Sequence, residues 1–300
     1  MEMTSQGISN LKQKGSLWGL KMPEEASKAQ NGTARALKYN PCLSCPGHCC
    51  SQNLINLCGY DVWKISEELH IMPTEFVAFA ELNEESPYDF RLDSSDKTYC
   101  LALYMKKLLD GNRRCIFGLD LPKHQLRCGI YPFRPIGCRA YPLAFVGEEV
   151  VVKPWAMCPE DAWDASQLDL SYWPEELGRH DMEFSIYALA VRSWNKAASM
   201  LPELEKLDFR PLLDFLVNVY SRLEINRELI SAEAWPGIWK HWRQFTAEGL
   251  NPLFLKNEQK GETSWDWWVQ DIHKAVAEAS QKIPMHTTDP KENSAEEILP

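Results

Sequence analysis

All ten cysteines of this 300-residue chain lie between Cys42 and Cys158. They open with Cys42-Leu-Ser-Cys45-Pro-Gly-His-Cys49-Cys50, a C-x2-C-x3-C-C run, and continue through Cys115, Cys128, Cys138 and Cys158. A CxxC pair closes a small loop around one tetrahedral ion at sulfur distances of about 2.3 Å. Thiols this dense in a chain of this length point to metal ligands rather than a disulfide framework, because disulfide scaffolds are typically short secreted domains and a reducing compartment keeps thiols free. The implied chemistry is thiolate chelation of a metal ion or of an iron–sulfur cluster.

Cys58 stands just before a helical pattern and Cys100 among apolar neighbours, so both read as small buried hydrophobes. Eight candidate ligands remain: Cys42, Cys45, Cys49, Cys50, Cys115, Cys128, Cys138 and Cys158. They make two sets of four, or one set with reserves. Cys49 and Cys50 are adjacent, and in an extended segment neighbouring side chains point to opposite faces, so either they serve separate centres or one is not a ligand. His48 and His124 could complete a mixed site. Eight thiols and few histidines suit a soft, sulfur-rich centre, which favours an iron–sulfur cluster over zinc. Ligands so far apart in sequence would couple binding to folding, at about 10 kcal/mol per structural zinc. The haem-attachment motif fails because Pro46 stands where histidine is needed, and the bacterial ferredoxin spacing is absent. The C-x3-C-x2-C of radical S-adenosylmethionine enzymes appears here with its intervals reversed. A thioredoxin-like pair at Cys42 and Cys45 lacks a surrounding βαβ pattern.

Charge adds a second constraint. The net charge of −10 excludes bulk attraction to nucleic acid. Between Cys100 and Cys158, however, nine Lys or Arg face four acids, a local +5. Cations beside an anionic thiolate centre would stabilise it, while an exposed basic face paired with acids elsewhere explains the same count. Arg134 and Arg139 flank Cys138 and are candidates to support the ligands, with Tyr131 packing over the site.

The elements that must position these residues can be read coarsely. Residues 1–38 are a polar arm, 39–160 hold the cysteines, 161–282 are helical, and 283–300 form a Pro-containing tail expected to be disordered. Asp61 to His70 carries Val62, Ile65 and Leu69 at helical spacing, and Thr74 reads as the N-cap of a second short helix through Leu82. Thr98 to Phe117, turning at Asp110-Gly111-Asn112, predicts a hairpin, as does Pro142 to Lys153 around Gly147-Glu148. Later helices open near Pro174, Pro211, Trp235 and Ser264. Eight of the twelve tryptophans lie after residue 164, and an aromatic stripe at helical spacing reads as core. The fold class is α+β: short helices and hairpins about the metal, covered by a helical C-terminal region. The opening residues contain no apolar signal region and no stretch is long enough to span a membrane, so a cytoplasmic protein is expected.

Taken in order, the first cysteine run, then Cys115-Ile-Phe-Gly-Leu-Asp120, then Arg127-Cys128-Gly-Ile130-Tyr131-x2-Arg134-Pro135-x2-Cys138-Arg139-Ala-Tyr141-Pro142, resemble the YkgJ-type cysteine cluster family, also called CxxCxxCC. The resemblance covers roughly residues 40–160. It implies a zinc- or iron-chelating domain, and members are often labelled iron–sulfur proteins. This chain departs by having three residues between Cys45 and Cys49, where the nominal pattern has two. Flagellin lysine N-methylases look like distant relatives. The resemblance thus implies a metal-binding protein with a protein or redox partner, and as the alternative a lysine methylase-like transferase with a structural or redox metal. Neither an oxidoreductase nor a transferase activity is settled by these residues, and no Gly-rich nucleotide cradle appears.

Overall fold

The computed structural model describes residues 47–283 apart from 83–85, 110, 123–124, 159–161, 165–167, 170, 204–207, 229, 231–232, 247–250 and 255–265. The expected arm, the tail beyond 283, Cys42, Cys45 and His124 lie outside the described residues.

The cysteine half is built from local pieces. A five-residue helix, α1 (His48–Gln52), is followed by α2 (Gly59–Leu69). Val62 and Ile65 of α2 are buried, as their spacing predicts. Four antiparallel pairs follow: β1 (Val77–Leu82) with β2 (Thr98–Leu103), β3 (Met105–Lys107) with β4 (Arg113–Cys115), β5 (Gly118–Leu121) with β6 (Gln125–Cys128), and β7 (Leu143–Val146) with β8 (Glu149–Val152). A second short helix, α3 (Ile136–Ala140), stands between the last two pairs. The hairpin expected around Gly147 is present; of the one expected from Thr98 to Phe117, only Met105–Lys107 pairs with Arg113–Cys115, because Thr98–Leu103 pairs with β1. The helix expected from Thr74 to Leu82 is absent: one 3-10 turn, Pro73–Glu75, leads into β1, whose register with β2 runs from Val77↔Leu103 to Leu82↔Thr98. Val77 and Phe79 are good strand formers, and the partner strand twenty residues on supplies the ladder that outweighs a local helix.

The remaining helices are α4 (Trp173–Ala198), α5 (Arg210–Arg227), α6 (Trp235–Thr246) and α7 (Asp266–Ser280). Pro174 opens α4, and Glu175 and Glu176 in its first turn and Lys196 in its last complement the helix dipole. One hydrophobic core joins α2 and the first strands to these helices, with Phe76, Phe90, Tyr187, Trp194, Tyr220 and Trp268 fully buried. Each such side chain contributes about 1.5–3 kcal/mol. Polar contacts add register: the Trp194 indole donates to Arg91 O at 2.7 Å, and Asn195 accepts from Arg91 N at 2.8 Å and donates to Asp89 O at 2.9 Å. At Gly59 a Cβ would stand 2.3 Å from the Tyr220 ring, so the approach of α2 to α5 requires glycine. A smaller cluster of Ala140, Leu143, Leu168, Trp173 and Leu177 seats α3 and β7 on α4. No described helix is long and apolar enough to cross a membrane.

Candidate metal centre

The described cysteines sit where short elements end. Cys49 and Cys50 lie in α1, Cys115 closes β4, Cys128 closes β6 and Cys138 occupies the middle of α3. Two pairings bring the middle group together. Gly118 faces Cys128 in the β5–β6 ladder, and Gly129 N–H donates to Phe117 O at 2.8 Å, so Cys128 returns beside the turn that follows Cys115. α1 is held against the same hairpin by Gly47, whose φ of 87° suits glycine and whose added Cβ would lie 2.7 Å from Leu126 Cβ.

Electrostatics shows which thiols are neighbours. Burial raises the Cys138 pKa well above the ordinary thiol range, and Cys49, Cys115, Asp61 and Cys128 raise it further. The Cys115 thiol is pushed up to about 11, first by burial, with Cys128 adding to the shift. Cys128 is raised by burial and by Cys49. Charge on Cys49, Cys115 or Cys128 thus disfavours ionisation of Cys138, as charge on Cys128 does for Cys115 and charge on Cys49 does for Cys128. A cation bound beside them would favour their ionised form.

Local donors favour that ionised form. Backbone N–H groups of Phe117 and Gly118 lower the Cys115 pKa, and that of Ile130 lowers Cys128, so both sulfurs meet amides two or three residues downstream. Lys106 also draws Cys115 down and Arg134 draws Cys128 down. Part of the basic stretch thus faces the thiols. Arg114 instead pairs with Asp120, and Arg139 with Glu176 Oε2 at 2.6 Å. Arg134 stacks 3.9 Å above the Tyr131 ring and donates to Tyr131 O at 3.2 Å.

The adjacent pair behaves differently from an extended segment. Because residues 48–52 are helical, Cys49 Sγ and Cys50 Sγ lie 3.9 Å apart. Two sulfurs on one tetrahedral zinc would stand about 3.8 Å apart at the usual bond length. The hydrogen bond with Cys50, followed by burial, pushes the Cys49 thiol up. Cys158 lies beside Tyr141, whose hydroxyl accepts Met157 N–H and which also feels Cys49. Cys58 is fully buried and Cys100 is buried in β2, in keeping with their reading as small buried hydrophobes, and Cys58 Sγ lies 3.4 Å from Asp61 Oδ2. Among the described residues no three His, Cys, Asp or Glu side chains are grouped so that they could hold a metal ion.

One contributor escaped the sequence reading. Asp61 is buried, accepts Ile136 N–H at 2.7 Å through Oδ1, and accepts Cys58 N–H at 3.0 Å through Oδ2. It caps α2 and fixes the first turn of α3, two residues before Cys138. The signal was the Cys58-Gly-Tyr-Asp61 spacing, a capping box in which a thiol replaces the usual hydroxyl.

The donor chemistry at this site, soft sulfur with backbone N–H support, fits zinc or iron. No curated protein matches the chain, and no solved structure does. A family model does match: residues 41–159 fit CxxCxxCC, described as "Putative zinc- or iron-chelating domain". The helices from Trp173 onward lie beyond the match. The cysteine-bearing part of this chain, residues 41–159, is thus similar to the CxxCxxCC domain.

Proposed function

We propose that this domain holds a thiolate-ligated metal centre, an iron–sulfur cluster in preference to zinc. Its ligands are drawn from Cys42, Cys45, Cys49, Cys50, Cys115, Cys128, Cys138 and Cys158. The observation that carries the reading is the match of residues 41–159 to a zinc- or iron-chelating domain, supported by the electrostatic influence of Cys49, Cys115 and Cys128 on Cys138 and by backbone N–H groups that favour the thiolate at Cys115 and Cys128. Cys50 Sγ lies 3.9 Å from Cys49 Sγ, and a donor set made of sulfurs suits the soft ligation of a cluster. A bound cluster would supply one-electron chemistry. The protein's part is to exclude bulk water with the core beneath α1 and α3, to hold the thiols in register, and to offset their charge with Lys106 and Arg134. The function that follows is electron exchange with a protein partner. The test is metal and acid-labile sulfide analysis, with a visible spectrum, on full-length protein purified without oxygen. Iron with matching sulfide and broad visible absorption is the expected result. Stoichiometric zinc without sulfide would replace the redox reading with a structural one, and absence of any bound metal would overturn chelation.

A further inference from the structure

A cavity of about 220 Å³ lies where the β7–β8 hairpin meets α4 and α6. Its charged lining is Lys153, just past β8, His180 and Asp181 from α4, and Arg243 from α6. All four side chains are partly exposed. The matched domain supplies one wall, through Lys153 and Phe145, and the helices beyond the match supply the other. With histidine uncharged, two cations stand against one carboxylate, a net +1.

Both cations are held in place, and neither is neutralised. Lys153 N–H donates to Pro142 O at 2.9 Å, which closes the hairpin and fixes where the side chain leaves the backbone. The Arg243 guanidinium lies 3.2 Å above the Phe145 ring and donates to Gly147 O at 2.8 Å through Nη2. Its other N–H groups and the Lys153 amine have no acceptor among the described residues. Asp181 acts electrostatically on both cations but forms an ion pair with neither; its Oδ1 meets His180 Nδ1 at 3.1 Å. Glu148 also acts on Arg243, from the exposed turn and outside the cavity lining. Burial draws the Lys153 pKa down, and Asp181 offsets only part of that shift. A half-buried amine without a counter-charge is costly to keep ionised, and an anion beside it removes that cost. The carboxylate and the two cations thus face one space, too far apart to pair with each other directly.

We infer that this cavity binds a small hydroxy acid. Its carboxylate accepts from Arg243 and Lys153, its single negative charge cancels the net charge of the lining, and its hydroxyl donates to Asp181. The inference does not depend on the metal reading.

The test is calorimetric titration of the full chain, at fixed ionic strength, with sodium glycolate, sodium acetate and ethylene glycol. Glycolate is expected to bind saturably, acetate several-fold more weakly, and ethylene glycol not at all. Lys153→Gln and Arg243→Gln should each weaken glycolate by about tenfold. Asp181→Ala should leave glycolate no tighter than acetate, a change that loss of packing alone would not produce. Lys107→Gln removes the same charge from an exposed position on β3 and should leave affinity unchanged. Melting curves identify the folded variants; if Arg243→Gln loosens the hairpin, Lys153→Gln, whose amine bonds no described residue, carries the test. The inference is overturned by absence of saturable glycolate binding, by acetate or ethylene glycol binding as tightly, by parental affinity in folded Lys153→Gln, or by an equal loss in Lys107→Gln.

Discussion

The buried carboxylate of Asp61 accepts the backbone N–H of Ile136 at 2.7 Å across 75 positions of sequence, and this one bond ties the start of the Cys138 helix to the start of α2. The other oxygen of the same carboxylate caps α2 through Cys58 N–H. Cys138 is therefore placed by a residue that is not itself a cysteine.

Replacing Asp61 by Ala leaves two buried N–H groups without acceptors and should cost about 2–5 kcal/mol, whereas Asn keeps one acceptor and should cost less. Urea unfolding of the metal-free protein measures the order. Equal, negligible losses would show that neither bond matters to the fold.

The same residue predicts a pH dependence. Burial, outweighing its N–H donors, raises the Asp61 pKa from 3.8 to about 6. Between those values the folded state binds more protons than the unfolded one, so stability falls as pH rises from the lower to the upper value and is flat beyond. The change is about 3 kcal/mol. Asp61→Asn should remove this slope, and the difference between the two proteins' stability profiles checks it.

Single Cys→Ser changes at Cys49, Cys115, Cys128 and Cys138 should each lower metal content or weaken retention against a chelator by at least about tenfold. Cys58→Ser and Cys100→Ser should preserve stoichiometry, since both side chains are buried as small hydrophobes. Full metal in all of the first four variants would remove them as ligands.

Gly47→Ala should loosen the site twice over, through a left-handed backbone costing about 1–2 kcal/mol and through a contact with Leu126. Adding Leu126→Gly removes the Cβ that the new methyl would meet, and so relieves the contact but not the backbone. Metal release from the double variant should then be slower than from Gly47→Ala alone, which stopped-flow chelation measures. Identical release from the two would show that the contact does not govern the approach.

Much of the fold was legible because it is local. Val62 and Ile65, Pro174 at the head of α4, and the glycine turns at Gly111 and Gly147 carry their instructions within a few residues. The match of residues 41–159 to a chelating domain was legible too, in the order and spacing of the cysteines, and the tryptophans at Trp194, Trp242 and Trp268 do form core.

Tertiary structure decided what depends on distant partners. Residues Val77–Leu82 became a strand because Thr98–Leu103 pairs with them, and the helix of α1 put the Cys49 and Cys50 sulfurs 3.9 Å apart rather than on opposite faces. Arg139, next to Cys138 in sequence, turned to Glu176, while Lys106 and Arg134 came to the thiols. The bond from Asp61 to Ile136 and the cavity between Lys153 and Arg243 join residues with no sequence relation. The sequence by itself determined which side chains could bind metal and which stretches fold locally. Which thiols meet and which charges face them was decided by burial and long-range pairing, whose energies exist only once the chain is packed.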